Sequence, residues 1–241
     1  PTDPWSGQHL WPEQESDEGQ GSDAWADPRL TAPQFGTLLA KETLTFCDMP
    51  VSTKSDALFV TRLYRARLPV AAGLAETCLG IAAEDLAGRR WAKAHGYGGY
   101  TSYASLDDLP RRASLFAELE RKIARHMAGF ARELQFEMGG RKCELDSLWI
   151  NVMKKGAVHA PHIHPHSAIS GTYYVAAPPG CGAIRFEDPR LAMMMAAPPR
   201  RKSAQSANRQ FVDVTPRPGM LLLWESWLRH GVEPNGARAP R

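Results

Sequence analysis

The order of patterns along the chain predicts an α+β protein in which helices pack on a β-sandwich or barrel. Two stretches of helical periodicity come first, and Gly139-Gly140 ends the second of them. Short runs rich in β-branched and aromatic residues follow, separated by Gly and Pro. Helices and then strands, in that order, are the mark of segregated layers rather than of alternating βα units.

Residues 1–55 stand apart. The run from Pro1 to Pro33 is rich in Gly, Ser, Asp, Glu, Gln and Pro and sustains no period of 2 or 3.6, so it reads as a flexible or surface-wrapping extension. Trp5, Trp11 and Trp25 are its candidates for docking on a groove. One domain is expected over 56–241. Leu58, Val60 and Leu63 suggest a short strand. Val70 to Leu86 reads as a helix with Leu74, Cys78, Ile81 and Leu86 on one side. A Gly- and Tyr-rich loop, His95 to Tyr103, comes next, read either as substrate-facing or as an ordinary turn. Leu115, Leu119, Ile123, Met127, Phe130 and Leu134 recur at helical spacing from about Arg111 to Phe136. The strand block, about 145–241, contains Leu148–Met153, Ile169–Ala176, Ala183–Phe186, Phe211–Val214 and Gly219–Trp224. Between its later strands, Leu191–Gln210 holds Met193-Met194-Met195 and Arg200-Arg201-Lys202, read as a solvated insertion or a lid.

The composition narrows the class. A 43% hydrophobic content over 241 residues is enough for a sizeable core. A net charge of +3, with no basic run interleaved with aromatics, gives no indication of nucleic acid. Cys47, Cys78, Cys143 and Cys181 are widely spaced with no CxxC, which fits reduced thiols. No apolar stretch approaches a membrane span, and no signal-peptide pattern opens the sequence, so a soluble cytoplasmic protein is expected.

Five of the eight histidines fall in the strand block: His159, His162, His164, His166 and His230. Residues two apart in an extended segment face the same way, so His162 and His164 form a metal-binding pair. Spacing of this kind serves iron, zinc and manganese alike. His230 is the third candidate. It follows Met220–Trp224, the strongest strand in the sequence, and precedes Asn235-Gly236, a favoured hairpin turn. A chain returning from that turn brings Arg238 or Arg241 near the metal, where a guanidinium can hold a carboxylate bidentately. His9, His95 and His126 read as ordinary polar residues, and His159 and His166 as neighbours rather than ligands.

Gly96–Ser102, Leu148–Met153, His162–Val175, Phe186–Arg190 and Pro218–His230 together resemble the 2-oxoglutarate/Fe(II) oxygenase-like proteins of bacteria and phages, over Leu58 to Arg241. In the wider superfamily, prolyl hydroxylases included, a glycine precedes His-x-Asp/Glu, and a distant His and a basic residue follow. Gly156, His162, His230 and Arg241 match those positions. The resemblance implies a double-stranded β-helix (a jelly roll, cupin-like), with Fe(II), 2-oxoglutarate and dioxygen as cofactor and co-substrates. It makes His162, His164 and His230 the metal-binding and catalytic set. It makes Arg241 the anchor of the 2-oxoglutarate 5-carboxylate, with Tyr173, Tyr174 and Asn151 as further co-substrate contacts. The partners implied are 2-oxoglutarate and a primary substrate that the sequence does not name.

The chain departs from the pattern at His164, which stands where the family has a carboxylate and keeps the site at +2 with the metal bound. Asp188 or Glu187 is the alternative source of a carboxylate. In the family a further strand follows the anchoring arginine, which here is the last residue of the sequence. Two other readings are carried. One is a cupin-type three-histidine metalloenzyme that does not use 2-oxoglutarate; the downstream glutamate of that motif is absent, since positions 168 and 169 are Ala and Ile. The other is a non-catalytic binding protein on the same fold.

Overall fold

The structure is a computed structural model that describes residues 54–241. The expectations for the amino-terminal extension, Cys47 and the three tryptophans there fall outside the described residues. In chain order the elements are β1 (Leu63–Arg67), α1 (Leu74–Glu84), α2 (Leu86–Ala94), β2 (Tyr100–Thr101), α3 (Leu109–Arg112) and α4 (Ser114–Glu133). There follow β3 (Asn151–Val152), β4 (His159–His162), β5 (Ile169–Tyr173), β6 (Ile184–Glu187), β7 (Phe211–Val214), β8 (Met220–Glu225) and β9 (His230–Val232). Apart from β1 and β2, the helices come first and the strands second, as the α+β reading expects.

Three antiparallel sheets result, in the orders β1-β8-β5, β4-β9-β6-β7 and β2-β3. β8 explains why its sequence, Met-Leu-Leu-Leu-Trp-Glu, shows no alternation. Leu221 and Leu223 join a core built with Leu119, Ile123, Met127 and Phe130 of α4. Leu222 and Trp224 join a second core with Tyr174, Ile184, Phe186 and Val214. A strand buried on both faces has no polar side to write into the sequence. α4 presents its apolar stripe to the first core, and Tyr64 of β1 donates to or accepts from His126 Nδ1 at 2.9 Å across that contact.

Several boundaries differ from the sequence reading. Leu58 and Val60 are exposed and precede β1 instead of forming it. The single helix expected over Val70–Leu86 breaks at Asp85. That residue ends α1, with its N–H on Ile81 O, and caps α2 by accepting from Gly88 N–H at 2.9 Å. α2 itself was hidden because only Gly88 and Ala92 are buried on it, and small residues carry no visible apolar period. Asn235-Gly236 does not turn the chain back beside β9. The Asn235 amide is fully buried and is spent on Met153 O (2.9 Å) and Ala239 O (3.3 Å). The chain therefore crosses to the end of β3, where Arg241 and Met153 exchange backbone hydrogen bonds of 2.8 and 3.0 Å. Leu191–Gln210 holds two short 3-10 turns, and Met193 and Met195 lie exposed on it. Among the described residues no helix is long and apolar enough to cross a membrane.

Candidate metal centre and carboxylate pocket

β4 and β9 are antiparallel neighbours in which His162 pairs with His230. This register brings residues 68 positions apart in the sequence side by side. A bulge lies between His159 and His162. Strict alternation would put these two on opposite faces; the bulge puts them on one, and their rings stack at 4.2 Å. His164 lies just beyond β4 and is fixed differently from the strand partner expected. Its N–H donates to Ser226 O at 3.0 Å, and Ser226 is in turn held by Ala168 O and by the Ser170 hydroxyl.

One ring nitrogen from each of His162, His164 and His230 lies within 4.8 Å of the others, a group that could hold a metal ion. Imidazole–metal bonds of about 2.0–2.1 Å place ligands of one ion roughly 3–4 Å apart, so small ring movements would close the set on a cation. Two rings are oriented for that role. Nδ1 of His162 lies 2.8 Å from Ala160 O, and Nδ1 of His230 lies 2.9 Å from Leu228 O. A carbonyl only accepts, so each Nδ1 carries the proton and each Nε2 offers its lone pair. Burial, opposed by the Leu228 carbonyl and reinforced by the neighbouring histidines, pushes His230 down to about 3. Burial and His162 also hold His164 below the ordinary histidine value. Trp224 stands edge-on to His230 at 4.6 Å, and its buried Nε1 has no hydrogen-bond partner.

Neither candidate carboxylate joins the cluster. Asp188 accepts from Arg190 at 2.9 and 2.8 Å, and Glu187 accepts from Arg229 at 3.2 Å. The donor set is therefore three imidazoles, which suit iron, zinc, copper or nickel.

A cavity of about 700 Å³ opens beside the histidines, and Tyr97, Asn151, Tyr174 and Arg241 also line it. The Arg241 guanidinium lies 5.9 Å from the centre of the Tyr174 ring. It reaches Cys181 O and Gly182 O only at 3.5 and 3.4 Å. No ion pair among the described residues engages it. Tyr173 and Tyr174 are consecutive on an extended segment and diverge. Tyr174 belongs to the core between the sheets. Tyr173 packs on the helical core, and its hydroxyl donates to Leu68 O and Pro69 O at 3.3 Å. Asn151 is exposed at the cavity and accepts from the Tyr97 hydroxyl at 3.2 Å. Arg238 is exposed, and His166 is exposed at the cavity mouth.

Two residues of this wall were not singled out from the sequence. His159 reads as a neighbour rather than a ligand, and across the bulge its ring stacks on His162. Burial first, and then the neighbouring His162, His164 and Arg241, push it down to about 4. Tyr97 sits in the Gly-rich loop, and its ring lies edge-on to His159 at 5.4 Å. The pair of glycines after it was the available signal.

Among known proteins, no curated sequence matches this chain. A solved structure similar to it is the crystal structure of a Pseudomonas putida prolyl-4-hydroxylase, at 15% identity over 75% of this chain and 89% of that one, with a TM-score of 0.41. Residues 147–241 match the model of the family described as "Putative 2OG-Fe(II) oxygenase". That segment holds the three clustered histidines, Asn151, Tyr173, Tyr174 and Arg241.

Proposed function

We propose that the protein is a non-haem Fe(II), 2-oxoglutarate-dependent oxygenase that hydroxylates its primary substrate. One observation carries the reading: three imidazoles converge within 4.8 Å, and two of them have Nδ1 spent on backbone carbonyls. The β4-β9-β6-β7 sheet facing the β1-β8-β5 sheet across the Trp224 core supports a double-stranded β-helix. The free thiols Cys78, Cys143 and Cys181 fit a reducing, cytoplasmic setting.

His162, His164 and His230 would hold Fe(II), which together with 2-oxoglutarate and dioxygen supplies the oxidant for C–H hydroxylation. The chain's own work is placement and exclusion. The carbonyls of Ala160 and Leu228 set two ring tautomers, and the Ser226 carbonyl holds the backbone of His164. Trp224 and Phe186 wall His230 off from water. Arg241, backed by Tyr174, is the cation available to the distal carboxylate of 2-oxoglutarate, and Asn151 stands at the same cavity. Tyr173 also lines the cavity, with its hydroxyl donating to Leu68 O and Pro69 O.

The all-imidazole donor set favours one second reading, a three-histidine metalloenzyme that does not use 2-oxoglutarate. Anaerobic titration with Fe(II) and then 2-oxoglutarate separates the two. The first reading expects a weak visible charge-transfer band, reduced in Arg241→Ala and lost in His162→Ala and His230→Ala. Iron binding with no band on adding 2-oxoglutarate would establish the second reading. Failure to bind iron would end both.

A further inference from the structure

We infer that the cavity beside the histidines has an apolar arm beneath α1 and α4 that takes the aliphatic chain of the primary substrate. The inference rests on the oxygenase reading above and names the class of molecule which that reading leaves open.

Two helices supply one wall of the arm. α1 contributes Ala75 and Cys78, three residues apart on one stripe, and α4 contributes Phe116, Ile123 and Met127. No charged residue of either helix lines the cavity. Leu221 and Leu223 of β8 belong to the same lining and to the same core. From Phe116 to Met127 the α4 axis rises about 16 Å, so the arm is elongated along the helix. That length suits an extended chain better than a compact ring. His162, His164 and His230 line the same cavity, so a chain lying along α4 is continuous with the space at the proposed metal site.

The size of the space calls for an occupant. The cavity holds about 700 Å³. Pockets of that scale enclose whole drug-sized molecules, and 2-oxoglutarate, a small diacid, fills only part of it. Water is a poor filler for the remainder. A buried water needs several polar partners, and the side chains of the helical wall offer only carbon and sulfur. Protein interiors pack as densely as organic crystals, and an apolar void this large forfeits contacts on the scale of the whole folding free energy. A hydrocarbon chain restores those contacts, and Met127 and Cys78 are soft enough to adapt to it. Glu144 and Asp146 are exposed on the same lining and disfavour an anionic head there, which points to a neutral chain. Under the oxygenase reading one atom of dioxygen enters a C–H bond of that chain as a hydroxyl group. The other enters the succinate formed as 2-oxoglutarate loses carbon dioxide, so no further reductant is required.

The test titrates the intact chain by calorimetry with hexan-1-ol, octan-1-ol, decan-1-ol and dodecan-1-ol, first without metal and then anaerobically with Fe(II) and 2-oxoglutarate. Affinity should rise roughly fourfold per added methylene and level off once the arm is full. Ala75→Phe and Ile123→Phe narrow the arm from separate helices, so the result stays readable if one of them fails to fold. Each should weaken decan-1-ol roughly tenfold, with Tm unchanged or raised and the 2-oxoglutarate charge-transfer band in place. Decan-1-ol should also raise oxygen-dependent consumption of 2-oxoglutarate and be recovered as a diol. Absence of binding overturns the inference, as does affinity that ignores chain length or survives both substitutions. Binding that leaves 2-oxoglutarate consumption unchanged overturns the substrate assignment as well. If the protein binds the alcohols but gives no band with 2-oxoglutarate, it is the oxygenase reading that fails, and the substrate assignment falls with it.

Discussion

Replacing Asp85 with Ala should destabilise the domain by about 2–4 kcal/mol, and the size of that loss follows from what its carboxylate holds. Oδ1 caps α2 at Gly88 N–H (2.9 Å), while Oδ2 accepts from the Tyr100 hydroxyl (2.9 Å) and the Ser105 hydroxyl (2.5 Å). Loss of an N-cap costs about 1 kcal/mol. Each hydroxyl bond to an ionised acceptor adds about 0.5–1.5 kcal/mol after allowance for partial exposure. For a domain of this size the total lowers Tm by about 5–12 °C. The pH dependence has a definite sign. Burial raises the Asp85 pKa, but the bonds from Gly88, Ser105, Tyr100 and Ala87 outweigh it and hold the group below the ordinary aspartate value. A depressed carboxylate contributes stability above its unfolded pKa and loses it as pH falls through the folded value. Thermal melts followed by circular dichroism should therefore show the largest gap between wild type and variant near pH 7, narrowing toward pH 3. A gap below about 1 °C at pH 7, or one that does not narrow in acid, would refute the account.

Other perturbations have equally definite signs. Gly99→Ala drives a Cβ to 2.3 Å from the Val152 carbonyl, so the β2–β3 pair should open; a Tm loss above about 5 °C with weakened 2-oxoglutarate binding is expected. Gly80→Ala on α1 meets nothing within 4 Å and should instead stabilise by about 0.5–1 kcal/mol, measured by urea denaturation. Burial pushes the Cys78 thiol up to about 11, so the folded protein keeps a proton that the unfolded chain releases above about pH 9. Stability should fall between pH 9 and 11, and Cys78→Ala, though less stable at neutral pH, should show a shallower fall.

The parts of the molecule legible in the sequence are those in which one face of an element meets one kind of neighbour. α4 repeats Leu119, Ile123, Met127 and Phe130 because one stripe touches the core, and its sequence says so directly. α2 contacts its surroundings through Gly88 and Ala92, which leave no period to read. The strand block was legible as strands, but pairing was not. Nothing local says that β8 sits between β1 and β5, or that the chain after Asn235 crosses to Met153. An Asn-Gly pair predicts a hairpin only while the Asn side chain is free, and here burial commits it elsewhere.

The candidate site divides along the same line. His162 and His230 could be named from strand ends and spacing because their roles need only that two strands adjoin. His164 was expected to point with His162 by alternation; it reaches the cluster from past the strand end, guided by Ser226 O. Alternation fails more plainly at His159, where one bulge reverses the face, and at Tyr97, whose direction is set by a helix cap and two glycines rather than by any period. These two residues line the cavity together with Arg241. A pocket assembled from the helical segment and the strand block carries a consequence for its chemistry. The histidines proposed as metal ligands lie within residues 162–230, whereas Tyr97 depends on the α2 cap and the β2–β3 pair. Damage at Gly99 or Asp85 should therefore weaken ligand binding in the cavity before it weakens metal binding, and a loss of both together would show that the two parts fold as one unit.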